Sequence, residues 1–175
     1  MLDRRWTLAL RTALVVYLAA VLCLTMWPQL EQTSVPSWAE AVVRAAGAVG
    51  ISLTVAFLEA ASNLVMFVPF GVLVLLLWWG ARRRSAGGGA GAADTGAGAA
   101  GAAWRLVLPV TVVAGAFSAA IELSQLAIPG RVSTVQDLVL NTAGGLLGAL
   151  VTAGAAAAVG RRAAVRGRAA GPVHG

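Results

Sequence analysis

The sequence predicts an all-α integral membrane protein of four transmembrane helices, and three observations predict it. Of 175 residues, 59% are hydrophobic and only 11% charged, whereas a water-soluble domain carries about a quarter charged residues. The apolar residues gather into four runs of at least the length, about 20 residues, that crosses a hydrocarbon core as a helix. The thirteen basic residues, all arginine, cluster between these runs and at the chain ends, and no basic domain interleaved with aromatic residues is present to track nucleic-acid phosphates. A mean hydropathy of +0.82 with a net charge of +6 therefore implies a lipid bilayer as partner and no nucleic acid.

Residues 1–7 form an N-terminal segment containing Arg4 and Arg5, and the first span covers residues 8–27. Arg11 lies inside it and is expected to snorkel toward the nearer interface. The run is longer than a signal-peptide core, and Trp27-Pro28-Gln29 gives no small-residue cleavage site, so the span is read as uncleaved. Between Pro28 and Gly50 the chain is mixed in character. There Ser37-x-x-Glu40 has capping-box spacing and predicts a short interfacial helix near Trp38.

The second span covers residues 55–79, within an apolar stretch from Ile51 to Gly80. Pro69 removes a backbone donor and clashes with the preceding turn, which predicts a kink or break near Met66 to Phe70. Arg82, Arg83 and Arg84 close the span. Residues 81–103 are expected to form a flexible, disordered loop, because from Ser85 onward they are nearly all Gly and Ala and bury too little side chain to offset their ordering entropy.

The third span covers residues 105–127, with Pro109 tolerated near its start, and Pro129-Gly130 marks a tight turn. After Arg131, Ser133-x-x-Gln136 reads as a capping box for the fourth span, residues 137–159. Residues 161–175 form a basic tail with Arg161, Arg162, Arg166 and Arg168.

The arginines orient this chain. Those of the N-terminus, the loop after span two and the C-terminus fall on one side, and only Arg44 and Arg131 fall on the other, so both termini are expected in the cytoplasm of a multi-pass cell-membrane protein. The tryptophans agree: Trp6, Trp78, Trp79 and Trp104 fall at the inner boundary, Trp27 and Trp38 at the outer one.

With that topology the intramembrane polar residues gather near the outer leaflet. Span two carries Glu59 and Asn63 early, span three Glu122 and Gln125 late, and span four begins with Asp137 and Asn141. At about 1.5 Å per residue, Glu122 and Asn141 lie at a similar depth, about one turn inside the boundary, where they could meet. Residues three and four apart share a helix face, so Thr111, Gly115, Ser118, Glu122 and Gln125 form one stripe and Asp137, Asn141, Gly144, Gly148 and Thr152 another. Gly144-x-x-x-Gly148 lets helix backbones approach closely, which makes the polar stripe a packing seam as well.

An acid inside a span is expensive and a functional candidate by default. Asp137 sits in the first turn of a helix, where the dipole favours an anion, and Glu122 in the last turns of another, where it opposes one. Two carboxyls so placed suit acid-base work, and structural pairs show the same contrast. Arg131, directly after a turn, can fold over Glu122, bind a phosphate or carboxylate bidentately, or simply be solvated. Cys23 is the one cysteine and His174 the one histidine, so the sequence offers no disulfide, no triad, no metal site and no cofactor pattern.

Taken in order, Asn63-Leu-Val-Met-Phe67-Val-Pro69-Phe-Gly71, Ser118-Ala-Ala-Ile-Glu122-Leu-Ser-Gln125, Pro129-Gly130-Arg131 and Asp137-Leu-Val-Leu-Asn141-Thr-Ala-Gly144-Gly145-Leu-Leu-Gly148 resemble the VanZ-like family over about Glu59 to Leu150. The resemblance implies a bacterial envelope protein. That family is named for a protein associated with low-level resistance to the glycopeptide teicoplanin, and its motif residues correspond here to Glu59, Asn63, Glu122, Gln125, Arg131, Asp137 and Asn141.

Two functions fit this constellation. In one, Glu122 and Asp137 transfer protons while Arg131, Asn63, Asn141, Gln125 and Glu59 bind an anionic envelope lipid or lipid-linked cell-wall precursor. In the other, the polar residues hold helices together or dock a partner without catalysis. A transporter is the weakest reading, because four spans carry no detectable internal repeat.

Overall fold

The computed structural model describes residues 4–26, 37–48, 50, 52, 54–86, 96–128 and 134–169. They form helices α1 (Arg4–Met26), α2 (Ser37–Ala48), α3 (Val55–Ala86), α4 (Gly96–Trp104), α5 (Val107–Gln125) and α6 (Val135–Ala169), with no strand among the described residues. Four helical stretches, Arg4–Met26, Val55–Ser85, Gly101–Gln125 and Val135–Arg166, are long and apolar enough to cross a membrane. The chain therefore has the make-up of a multi-pass membrane protein. α3 and α6, at 32 and 35 residues, reach roughly 50 Å each. A hydrocarbon core is about 30 Å thick, so their arginine-bearing last turns project beyond it.

The centre of the fold is the parallel pair α3 and α6, which share the most extensive interface. Lipid gives helices no hydrophobic reason to associate, so close backbone packing must hold them. Three glycines permit it. A Cβ on Gly144 would lie 2.1 Å from the Leu64 carbonyl oxygen, one on Gly148 2.1 Å from that of Val68, and one on Gly71 2.0 Å from that of Gly145. α5 closes on the other side of α6, where Gly145 meets Ala114 and Gly115 meets Thr142. Phe67 and Phe70 of α3 pack on Phe117 of α5, with ring centroids 6.0 and 5.5 Å away and the Phe70–Phe117 pair stacked.

Pro69 does not break α3, which is helical from Val55 to Ala86. Neighbours brace the turns on either side: Gly71 is seated against α6, and the Tyr17 hydroxyl of α1 donates to the Met66 carbonyl at 2.7 Å. Such support is what makes proline tolerable inside a membrane helix.

The Gly/Ala segment departs from expectation. Residues 81–86 continue α3 and residues 96–104 form α4, which packs on α6 with Ala103 fully buried; residues 87–95 lie outside the described set. Alanine is the best helix former, and small side chains let a helix approach its neighbour closely, so low side-chain volume does not prevent order here. A turn at Arg105 and Leu106 then leads into α5.

α1 is peripheral. Val21 is its one buried residue, and Leu8, Val15, Val16 and Leu24 are exposed as a lipid-facing surface requires. α2 begins at Ser37 as the capping-box spacing predicts. Its exposed Glu40 and Arg44 pair at 3.8 Å, a contact of little energetic weight.

Candidate functional site

The antiparallel order brings the C-terminal ends of α1 and α5 to the N-terminal ends of α3 and α6, and the intramembrane amides and acids collect there. Arg82, Arg83, Arg84, Arg161, Arg162 and Arg166 lie at the opposite end, with Arg83 over the Trp79 ring at 5.2 Å. The site is thus one end of the bundle, built by four helices.

Asp137 stands in the first turn of α6. Its Oδ1 accepts from Asn63 Nδ2 of α3, and its Oδ2 accepts from the Thr134 hydroxyl at 2.7 Å. Thr134 in turn accepts from the Asp137 backbone N–H at 3.2 Å. The described cap is therefore Thr134 with Asp137, one residue on from the expected Ser133-x-x-Gln136, and Ser133 lies outside the described residues. Both carboxylate oxygens are occupied, and the helix dipole adds to their stability. Through Asn63, Asp137 joins α6 to α3.

One turn deeper, Asn141 is buried and its Nδ2 donates to the buried Ser118 Oγ of α5 at 3.0 Å. The expected meeting with Glu122 does not occur; Asn141 pairs instead with the residue one turn below Glu122 on the same stripe. Its Oδ1 is buried without a hydrogen-bond partner. An orphaned amide oxygen in a low-dielectric interior carries a desolvation penalty of roughly 1–3 kcal/mol. Exchanging the amide's two ends would only move the deficit to the nitrogen.

Gln125, at the last turn of α5, donates from Nε2 to the Thr25 carbonyl of α1 at 2.9 Å. The α5 stripe is therefore divided: Ser118 serves α6 and Gln125 serves α1. Glu122 lies half-buried between them. The α6 stripe is divided likewise, because Asp137, Gly144 and Gly148 face α3 while Asn141 faces α5. Thr111 and Thr152 bond back to carbonyls of their own helices, Val107 and Gly148.

Of the seven expected residues, Asn63 and Asp137 are in direct contact, Asn141 and Gln125 bridge to other helices, and Glu122 lies among them. Glu59 is exposed on α3 and has no polar partner among the described residues. Arg131 and the Pro129-Gly130 turn lie outside the described residues, as do the side chains of Trp27 and Trp38. Ser118, assigned only to a stripe, is the partner of Asn141; Tyr17, Thr25 and Thr134 were not singled out. A lone tyrosine inside an apolar span is a signal for Tyr17, whereas Thr25 takes part through its backbone and leaves no trace in the sequence. No group of three metal-ligating side chains occurs among the described residues.

The VanZ/LLP1 family model matches residues 14–156 of the chain. No curated protein and no solved structure matches it.

Proposed function

Because this chain belongs to the VanZ/LLP1 family, and its intramembrane acids and amides lie at one bundle end, we propose that it binds or acts on the anionic headgroup of an envelope lipid or lipid-linked cell-wall precursor at the outer leaflet. The observation that carries the reading is the position of Glu122, half-buried on the last turns of α5 between two interhelical hydrogen bonds. An acid deep in a span costs up to roughly 3 kcal/mol by insertion scales, less near an interface.

In this reading Asn63, Asp137, Ser118, Asn141 and Gln125 position the site. Glu122 exchanges a proton or accepts hydrogen bonds from the headgroup, Arg131 binds its phosphate or carboxylate, and exposed Glu59 lines the approach. The arginine distribution supports both termini in the cytoplasm of a cell-membrane protein, which puts the polar end outward and makes susceptibility to teicoplanin the phenotype to measure.

The test is Glu122→Gln and Arg131→Ala in cells. A changed envelope-lipid profile or teicoplanin susceptibility at normal protein level supports the site. Unchanged phenotypes at normal level overturn it.

A second reading, a non-catalytic module held by its polar residues, is favoured by the way each hydrogen bond joins a different helix pair: α3–α6, α5–α6 and α1–α5. It requires that Glu122→Gln lower the melting temperature in detergent. A site residue is instead lost without destabilising the fold, and often with a gain.

A further inference from the structure

The basic end of the bundle carries two arginines that the α3–α6 seam sets against each other. A Cβ on Gly71 would point at the α6 backbone, and one on Gly144 at the α3 backbone. Arg82 follows Gly71 by eleven residues and Arg162 follows Gly144 by eighteen, which are about three and about five whole turns. Each arginine therefore returns to the side of its helix that faces the other helix.

The two also share a level. Leu64 meets Gly144 and Val68 meets Gly148, so residues eighty apart in number sit side by side on this parallel pair, and the same interval joins Arg82 to Arg162. Below the glycines Leu75 and Ala153 are fully buried, so the packing continues toward this end. Both arginines lie roughly 27 Å along the helices from the Leu64–Gly144 contact, close to the thickness of a hydrocarbon core, about 30 Å. The glycine-packed seam thus opens at a headgroup level with a guanidinium on either lip.

Both side chains are exposed, and among the described residues neither makes an ion pair. The described acids, Glu40, Glu59, Glu122 and Asp137, are on α2 or at the polar end of the bundle. A topological preference for arginine selects a side of the membrane and not a helix face. The helix dipole does not account for Arg162 either, because α6 continues to Ala169 and the dipole acts within the last turn. Like charges held facing each other are unfavourable until an anion sits between them. Guanidinium forks match phosphate oxygens bidentately.

We propose that Arg82 and Arg162 form a clamp for one dianionic phosphate group at the mouth of the α3–α6 seam. This site stands apart from the polar end and does not depend on what binds there.

The test uses the full chain in phosphatidylcholine nanodiscs containing a minor fraction of either phosphatidic acid or phosphatidylglycerol, with native mass spectrometry of the lipid released with the protein. A phosphate monoester carries about −1.5 to −2 charges near pH 7, and the diester of phosphatidylglycerol only one. The wild type is expected to retain phosphatidic acid about five-fold over phosphatidylglycerol, the factor for one elementary charge near such a surface. Arg82→Gln, Arg162→Gln and the double variant should each lose that preference to the same extent, because a clamp needs both arms. Arg161→Gln should keep it, and none of these exposed substitutions should lower the melting temperature without phosphate. Inorganic phosphate on the lipid-free protein in detergent is the second probe. Binding there that either clamp substitution removes makes free phosphate the source, and binding confined to nanodiscs makes it a lipid headgroup; both keep the clamp. No preference for phosphatidic acid together with no binding of inorganic phosphate overturns the proposal. So does an Arg161→Gln variant as impaired as Arg162→Gln, since general charge would then suffice. Asp3 and Asp94 lie outside the described residues, and phosphate binding that appears only after Asp3→Asn with Asp94→Asn would make a carboxylate of this chain the occupant and overturn it as well.

Discussion

Replacing Gly71 with alanine should destabilise the protein although alanine is the better helix former. The added Cβ would sit 2.0 Å from the Gly145 carbonyl oxygen and 2.8 Å from the Ala149 nitrogen. All the obstructing atoms are backbone, so no side chain can swing aside. Restoring an ordinary contact needs the helices to separate by roughly 1 Å, and that motion also loosens Gly144 from Leu64 and Gly148 from Val68. Overpacking a fitted interior costs about 1–3 kcal/mol and sometimes more. Helix propensity returns at most about 1 kcal/mol. The net loss of about 1–2 kcal/mol corresponds to a fall in Tm of roughly 2–8 °C for a chain of this size. Gly154→Ala is the matched control, since a Cβ there meets nothing within 4 Å, and its Tm should rise by about 2–4 °C on propensity alone. Both are measured by thermal unfolding in one detergent. A Gly71→Ala protein that melts at or above the wild-type temperature would refute the close-packed seam.

Two further outcomes follow from the polar end. Thr134→Val keeps the shape and removes the hydroxyl that caps α6 and donates to Asp137; it should cost about 1 kcal/mol, and Thr134→Ser should recover most of it in the same melt. The double variant Ser118→Ala with Asn141→Leu removes a buried hydrogen bond together with the orphaned Asn141 oxygen, and replacing both partners by apolar groups is near neutral or stabilising; a melt lowered by several degrees would show that the orphan is satisfied in the folded protein.

The spans were legible because the bilayer reads average hydropathy over about 20 residues, and no local contact alters that average. The polar end was legible for a related reason: Asn63, Asp137 and Asn141 stand in otherwise apolar helices, where each must find a partner. Which partner was not legible. Asn141 was placed beside Glu122 by depth, but the rotation of α5 sets Ser118 against it instead, and one turn of a helix is below what depth counting resolves. The helix at Gly96–Trp104 was missed because composition scores the side chains a segment brings, not the neighbour it meets, and α6 offers α4 a surface on which alanine suffices. Of the kink or break expected at Pro69, the break is absent, and what spares the helix there involves Tyr17 and Gly145, far away in sequence. The threonine at the cap was missed by a single residue, which is the usual imprecision of helix ends.

The loose attachment of α1 has a consequence for the order of events during synthesis. Its anchors are late: Met66 follows Tyr17 by 49 residues, Arg84 follows Thr7 by 77 and Gln125 follows Thr25 by 100. At about 5–20 residues per second of elongation, α1 waits seconds in lipid before its first partner is made and longer for its last. A helix that waits so long must be stable in the bilayer unaided, which accounts for a span with polar groups few enough to need no neighbour. The pair with the most extensive interface, α3 and α6, is also completed last, so the bundle closes around a first helix that has already found its place.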